Sequence, residues 1–159
     1  MLGGAAIIAL AASVLAPPPL GLVWNASPSS PLGLYAVIGT SEGRAGDMVV
    51  AWPPPAARSL AARRQYLPAG VPLVKNVAAV PGERVCAIGA RILVGGRQVA
   101  VRRVRDLAGR PLPWWAGCRT LGPGELFLLA PSAEAFDGRY FGVTRRREII
   151  GKAILLWRR

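Results

Sequence analysis

Residues 91–101 read RILVGGRQVAV and place two short strands on either side of a glycine pair. Two glycines in this position are a strong signal for a tight β-hairpin, because type I′ turns need positive φ at both central residues. On both sides of this hairpin the chain has further short strand candidates separated by Gly and Pro turns. They are Gly33–Ile38, Asp47–Trp52, Leu73–Val80, Leu126–Ala130 and Ile149–Trp157, with one short helix expected at Ala56–Tyr66. The sequence therefore predicts a mainly β domain, a folded-over sheet or barrel with short helices.

The composition excludes several kinds of active site. Of the 159 residues, 20 are Lys or Arg and 8 are Asp or Glu, which gives a net charge of +12, and there is no histidine. The chain therefore holds no Ser-His-Asp triad, no Cys-His dyad and no His-ligated metal, and its two cysteines are too few for a Cys₄ zinc site. Any nucleophilic chemistry needs another base, for which lysine is the main substitute. We expect neither a metal nor a cofactor.

The N-terminal part of the chain has no charged side chain before Glu42. Residues 2–16 are apolar or small with one serine, three prolines follow, and the apolar run resumes up to Trp24. Counted to Trp24 the stretch is just long enough to cross a bilayer, so residues 1–24 are interpreted as an uncleaved, or signal-like, membrane anchor with Trp24 at the interface. A cleavable signal peptide would need a basic leader, which is missing here. A true start further upstream and a buried core helix are the alternatives.

The two cysteines, Cys86 and Cys118, stand 32 positions apart. In an oxidising compartment they are a disulfide candidate, and such a bridge contributes roughly 3–4 kcal/mol through loop entropy. Two independent buried thiols are the alternative, and a cytosolic domain would favour it.

Lys75 is unusual in a chain with 18 arginines and only two lysines. Strand alternation puts it on the same face as Leu73 and Val77. Burial on such an apolar face lowers the pKa of a lysine and makes the neutral amine available as a base, which arginine cannot become. A lysine that extends along the strand surface to solvent is the alternative, and local sequence alone favours it. The second lysine, Lys152, is interpreted as an ordinary surface charge.

Four blocks of sequence, in order behind the apolar N-terminus, resemble the type I signal peptidases, and most closely their conjugative-transfer branch, the TraF peptidases. The blocks are Asn25-x-Ser27-x-Ser29-x-Pro31-x-Gly33-Leu34-Tyr35, Gly46–Val50, Leu73–Glu83 and Phe136–Gly142. The resemblance implies a signal-peptidase-like fold for residues 25–159, with Ser29 as the nucleophile and Lys75 as the general base. It implies that the Ser27 hydroxyl and the Ser29 N–H hold the oxyanion, and that Asp137 and Arg139 support the site structurally.

The chain departs from the family pattern at two positions. Ordinary signal peptidases have methionine directly after the nucleophile, where this chain has Ser30, and this favours the conjugative branch. The family often has a serine two residues before the aspartate to orient the lysine, where this chain has Ala135.

The resemblance implies a membrane-anchored serine endopeptidase of the bacterial inner membrane, with its catalytic domain on the periplasmic side. It would cleave, or cleave and cyclise, a pilin precursor, with other conjugation proteins as further candidate partners and no nucleic acid.

Three other functions compete with this interpretation. A general signal peptidase would act on secretory leaders with the same residues. A basic, non-enzymatic β-domain would bind nucleic acid or anionic lipid, which the arginines at 102–105 and 145–147 favour, although the basic and aromatic alternation of an RNA-binding sheet is missing. A Ser-Lys autoprotease of the repressor-cleaving type shares the dyad, and the apolar N-terminus argues against it.

Overall fold

The computed structural model describes residues 21–39 and 43–159, and over these ranges the chain forms eleven strands in two antiparallel sheets. In chain order they are β1 (Gly21–Asn25), β2 (Gly33–Ile38), β3 (Met48–Ala51), β4 (Leu73–Ala79), β5 (Arg84–Ile88), β6 (Arg91–Val94), β7 (Arg97–Val101), β8 (Gly117–Thr120), β9 (Glu125–Leu129), β10 (Thr144–Arg145) and β11 (Ile149–Arg158). The larger sheet has the order β1-β2-β11-β3-β4-β9-β10, and the smaller has β7-β6-β5-β8. The prediction of a mainly β fold is confirmed.

The two sheets share an apolar core. Val85 and Ile92 of the smaller sheet pack with Ala79, Phe127 and Leu129 of the larger one, and all five are almost fully buried. Burying such side chains stabilises a fold by roughly 1.5–3 kcal/mol each. The contact therefore fixes the smaller sheet against β4 and β9 of the larger sheet.

The hairpin around the glycine pair has the predicted bounds, with strands at Arg91–Val94 and Arg97–Val101. Its turn residues Gly95 and Gly96 have φ of 56° and 82°. A side chain at either position would be strained in this left-handed region, so the glycine pair sets both the turn and the register of the strands.

Two helices lie in the described ranges, α1 (Pro55–Arg63) and α2 (Gly138–Phe141). Pro55 stands in the first turn of α1, where its missing N–H is harmless. The helix ends before the predicted Tyr66, because Gln65 takes a φ of 60° and a residue in this left-handed conformation interrupts the helix. The short α2 was not predicted from the sequence, and it begins where the Asp137 carboxyl accepts a hydrogen bond from the Arg139 N–H.

The last four residues of the expected anchor, residues 1–24, belong to the larger sheet. Residues 1–20 lie outside the described residues, whereas Gly21–Asn25 form β1, which pairs with β2 so that Trp24 lies opposite Leu34. The sheet thus starts four residues before the expected boundary, because this apolar segment gains a backbone partner in β2. Across residues 21–39 and 43–159, no helix combines the length and hydropathy needed to span a membrane.

Candidate active site

Lys75 and Ser29, 46 positions apart in the chain, are in direct contact. The Nζ of Lys75 lies 2.7 Å from the Oγ of Ser29, within hydrogen-bond distance. Lys75 projects from β4, which lies between β3 and β9, and it stands opposite Val49 of β3. Lys75 is 2% exposed, whereas Ser29, in the turn after β1, is half-buried. A sequestered amine therefore faces an accessible hydroxyl.

Burial lowers the pKa of Lys75 from 10.5 to about 8. The main cause is the loss of water around the ammonium group, which Asp137 partly opposes and Arg139 reinforces. Among the described residues, Ser29 Oγ is the one hydrogen-bond partner of the Lys75 amine. A large fraction of this amine is therefore neutral at mildly alkaline pH, which is the state that a general base needs.

Asn25, the last residue of β1, holds the turn that carries Ser29. Its side-chain amide donates hydrogen bonds to the carbonyls of Ser27, Ser30 and Pro31, at 3.0–3.1 Å. Its side-chain carbonyl accepts a hydrogen bond from the Ser27 N–H at 3.1 Å. One buried side chain thus fixes the backbone on both sides of Ser29. Asn25 stands at the start of the serine block, and nothing in the sequence signals this role.

Ser30 fastens the same turn to the strand of the lysine. Its hydroxyl is buried and donates to the carbonyl of Val74 at 2.8 Å. The hydroxyl of Tyr35 donates to the carbonyl of Pro31 at 2.7 Å, so the far end of the turn is held to β2. A methionine in place of Ser30 would lack the hydrogen-bond donor, so this departure from the family pattern has a local structural purpose.

Ser27 lies beside Ser29, as its expected role requires. The two hydroxyl oxygens are 3.0 Å apart, and the Ser29 N–H donates a long hydrogen bond of 3.4 Å to the Ser27 oxygen. The donors that the resemblance assigns to the oxyanion are therefore clustered at the Ser29 hydroxyl.

Asp137 and Arg139 form a buried, two-pronged ion pair. Arg139 Nε lies 2.8 Å from Asp137 Oδ1 and Arg139 Nη2 lies 3.0 Å from Oδ2. The guanidinium also donates to the carbonyls of Ala130 and Ala133, and the Asp137 carboxyl accepts from the Ala130 N–H. The pair thus ties together the segment that contains Ala135, which is buried and lines the same cavity as Lys75. With alanine at this position, no side-chain hydroxyl is there to orient the amine.

A cavity of about 850 Å³ lies in front of the serine and the lysine. Its lining includes Ser27, Ser29 and Lys75 together with apolar groups such as Leu73 and Phe136. This volume is in the range of pockets that enclose a peptide segment or a small ligand.

Cys86, Cys118 and Lys152 do not line the cavity in which Ser29 and Lys75 lie. Cys86 and Cys118 are joined by a disulfide between directly opposite positions of β5 and β8, in the smaller sheet. Lys152 lies 2.7 Å from the Asp47 carboxylate in a half-exposed ion pair, so it remains a surface charge with a partner.

The β scaffold, the serine hydroxyl on a cavity wall and the lack of any histidine are the features of a serine peptidase that works without imidazole. Residues 1–158 match the protein family described as "Signal peptidase, peptidase S26". The chain belongs to this family.

Several curated proteins are similar over most of the chain. A probable conjugal transfer protein TraF of Sinorhizobium fredii is 36% identical over 139 residues, which cover 81% of this chain and 73% of that protein. A conjugal transfer protein TraF of Agrobacterium fabrum is 37% identical over 81% of this chain and 78% of its own length. A plasmid transfer protein TraF of Escherichia coli is 30% identical over 98% of this chain and 92% of its own length. Among solved structures, a signal peptidase I of Enterococcus faecalis aligns with 70% of this chain and 96% of its own, at 17% identity and a TM-score of 0.39. Membership of the family rests on the sequence matches.

Proposed function

We propose that this protein is a membrane-anchored serine endopeptidase that processes a pilin precursor for conjugative transfer, with Ser29 as nucleophile and Lys75 as general base. The observation that carries the proposal is the 2.7 Å contact between the Ser29 hydroxyl and a lysine that is 2% exposed. The conjugative role is supported by the similar proteins, which are named as conjugal or plasmid transfer proteins.

In the proposed mechanism, the neutral amine of Lys75 takes the proton of the Ser29 hydroxyl as the oxygen bonds to the scissile carbonyl carbon. The N–H of Ser29 and the hydroxyl of Ser27 stabilise the oxyanion, and the loss of one such donor typically lowers the rate ~10²–10³-fold. The ammonium of Lys75 then gives its proton to the leaving amine as the C–N bond breaks. Ser29 is left as an ester of the acyl fragment.

The acyl-enzyme has two fates. In hydrolysis Lys75 takes a proton from the attacking water and returns it to the Ser29 oxygen as the ester C–O bond breaks, which releases a carboxylic acid and restores the serine. In cyclisation an amine of the same substrate attacks the ester carbon, its proton passes through Lys75 to the Ser29 oxygen as the same C–O bond breaks, and the new peptide bond closes a ring. Intact-mass analysis distinguishes the two products, because the linear, hydrolysed fragment is heavier than the cyclised one by one water, about 18 Da.

The membrane part of the proposal draws on the N-terminal sequence and on one exposed surface. Residues 1–41 carry no charge, and residues 2–16 are apolar or small with one serine. Leu22 and Trp24 of β1 are exposed, and the ring of Trp24 stacks on that of the exposed Trp157 at 5.7 Å. Tryptophan is enriched where proteins meet the bilayer interface. A periplasmic catalytic domain agrees with the Cys86–Cys118 disulfide, since such bonds persist in oxidising compartments.

The test is cleavage of a pilin precursor by the purified full chain in detergent. We expect S29A, K75A and K75R to be inactive while retaining the native circular dichroism spectrum, and K152R to retain wild-type activity as the matched lysine control. K75R keeps the charge and loses the base, so cleavage by K75R would rule out the mechanism.

The same assay with a secretory preprotein tests the substrate class. Ser29-dependent cleavage of the preprotein, with the pilin precursor left intact, would support a general signal peptidase instead. The non-enzymatic alternative would be supported if the wild type cleaved neither substrate and if both the wild type and S29A bound DNA or anionic lipid in a salt-sensitive way.

A further inference from the structure

Four arginines line the cavity in which Ser29 and Lys75 lie. Arg103 is paired with Glu134, which leaves three: Arg64, just after α1, and Arg105 and Arg110, in the loop between β7 and β8. Pro111 links two of them: Arg64 donates to its carbonyl at 2.8 Å, and Arg105 pairs with it through a backbone bridge. Both residues therefore contact Pro111 in the cavity wall, Arg64 through its guanidinium and Arg105 through its backbone.

The positive charge at this point exceeds the negative charge. Within residues 21–39 and 43–159, Asp106 is the one carboxylate within 4 Å of the three guanidinium groups. The Asp106 carboxylate lies 2.7 Å from Arg110 Nε and, more distantly, 3.9 Å from Arg64 Nη1. Within these ranges, the Arg105 guanidinium has no carboxylate within 4 Å. Three cations and one anion leave a local charge of +2. The nearby Arg103 forms an ion pair with Glu134, so this pair adds no net charge.

The cations are held in place and retain unused donors. Arg105 is fixed by a hydrogen bond from one terminal nitrogen to the Gly109 carbonyl, at 2.7 Å. Arg64 uses one terminal nitrogen for the Pro111 carbonyl and for the Tyr66 hydroxyl, at 2.8 and 3.3 Å. A guanidinium has five N–H donors in a planar fork that matches a carboxylate. Prepositioned side chains of this kind lose little conformational entropy when they bind a ligand.

We infer that Arg64 and Arg105 bind a carboxylate of the peptide in the cavity, either an acidic side chain or the carboxyl terminus of the chain. The inference rests on the proposed function, because it takes the occupant of the cavity to be a peptide. It adds a specificity determinant that acts by charge, whereas the serine and the lysine act on any scissile amide. High salt weakens such recognition at a partly exposed site.

The test separates binding from cleavage. Binding is measured by fluorescence anisotropy on the full-length S29A protein, with eight-residue Ala/Gly peptides that carry one Glu, or the isosteric Gln, at each position. A second set compares the free C-terminal acid with the C-terminal amide. We expect the peptide with a correctly placed carboxylate to bind at least ~10-fold more tightly than its amide counterpart, which corresponds to about 1.4 kcal/mol. The Glu/Gln set and the acid/amide set show which carboxylate is recognised.

The variants assign the preference to the arginines. R105Q and R64Q, each combined with S29A, are expected to abolish the preference for the peptide that carries the carboxylate. We expect 0.5 M NaCl to reduce the same preference. R97Q, which removes an exposed arginine from the β6–β7 hairpin, is the charge-matched control and keeps the preference. Equal binding of all acid and amide pairs, or an equal loss in R97Q, would overturn the inference. Ser29-dependent cleavage by the wild type is followed in parallel, so cleavage without carboxylate preference removes this inference and leaves the proposed function intact.

Discussion

Ser30 and Val74 join the serine turn to the strand of the lysine: the Ser30 hydroxyl donates to the Val74 carbonyl at 2.8 Å. Each of these residues is the chain neighbour of a proposed catalytic one, since Ser30 follows Ser29 and Val74 precedes Lys75. A single buried hydrogen bond therefore sets the position of the turn against β4. The 2.7 Å distance between the Ser29 hydroxyl and the Lys75 amine depends on this alignment.

The first prediction concerns this hydrogen bond. S30A should lower kcat by about 10–100-fold, because small displacements of a nucleophile carry penalties of this size. The free energy of unfolding should fall by about 1–2 kcal/mol, as is usual for a buried hydrogen bond that loses one partner. Urea unfolding and cleavage kinetics measure the two effects. S59A is the control, because Ser59 is exposed on α1 and does not line the cavity. Equal kinetics for S30A and S59A would contradict the alignment role.

The second prediction concerns Asn25, whose amide donates to three carbonyls of the serine turn. In N25D an oxygen replaces the donating nitrogen without a change of size, and a carboxylate then faces three carbonyl oxygens. N25D should therefore be less stable and less active than N25A, which loses the same donors without the repulsion. We expect N25D to lose about 3 kcal/mol of unfolding free energy. The reverse order of the two variants would show that the amide donors are not what holds the turn.

The third prediction concerns pH and stability. The pKa of Lys75 falls from 10.5 to about 8 on folding, so the unfolded chain binds more protons between these two values. The free energy of unfolding therefore rises with pH across this window, and the contribution of Lys75 is unfavourable below pH 8 by about 3 kcal/mol. K75M, which removes the buried amine, should be more stable than the wild type at pH 7, and this difference should shrink towards pH 10. Urea unfolding at several pH values measures it, and a pH-independent difference would contradict the burial of an ionisable amine.

The fourth prediction concerns the disulfide. The double variant C86A/C118A should lose up to roughly 3–4 kcal/mol of unfolding free energy, from the loop entropy that the bond removes from the unfolded chain. The kcat of the folded fraction should stay within about twofold, because β5 and β8 lie in the smaller sheet, away from Ser29 and Lys75. Mass spectrometry after alkylation without reductant should find no free thiol in the wild type. A large loss of kcat in a folded double variant would show that the smaller sheet positions the site.

Local patterns predicted those elements of the fold that local chemistry determines. The β6–β7 hairpin has the predicted bounds because Gly95 and Gly96 set the turn by themselves. The strands β5 and β8 were missed. For β8 the reason is that it is exposed along its whole length and its sequence shows no alternation. It is a strand because it pairs with β5, and that partner is distant in sequence. The same holds for Gly21–Trp24, whose apolar composition suits an anchor as well as a strand.

The candidate site was predictable in its reactive groups and not in its supports. The apolar neighbours of Lys75 in β4 left a buried amine and a solvent-directed lysine both open, with local sequence favouring the second. The resemblance to a known family singled out Lys75 and paired it with Ser29. The roles of Asn25 and Ser30 depend on backbone carbonyls, which carry no signature in the sequence. The arginine cluster at Arg64 and Arg105 was equally hidden, because residues 41 positions apart meet only through the folded loop.

The most direct test of the central claim is a pH titration of the Lys75 amine by NMR. With ¹³Cε-labelled lysine the chain gives two side-chain signals, since it has only two lysines, and the K75M variant identifies the Lys75 signal by its loss. We expect a transition for Lys75 near pH 8, with a further shift of the curve in S29A because the amine loses its hydroxyl partner. A transition at or above about pH 10.5, unchanged in S29A, would mean a solvated ammonium away from Ser29 and would contradict Lys75 as a buried general base.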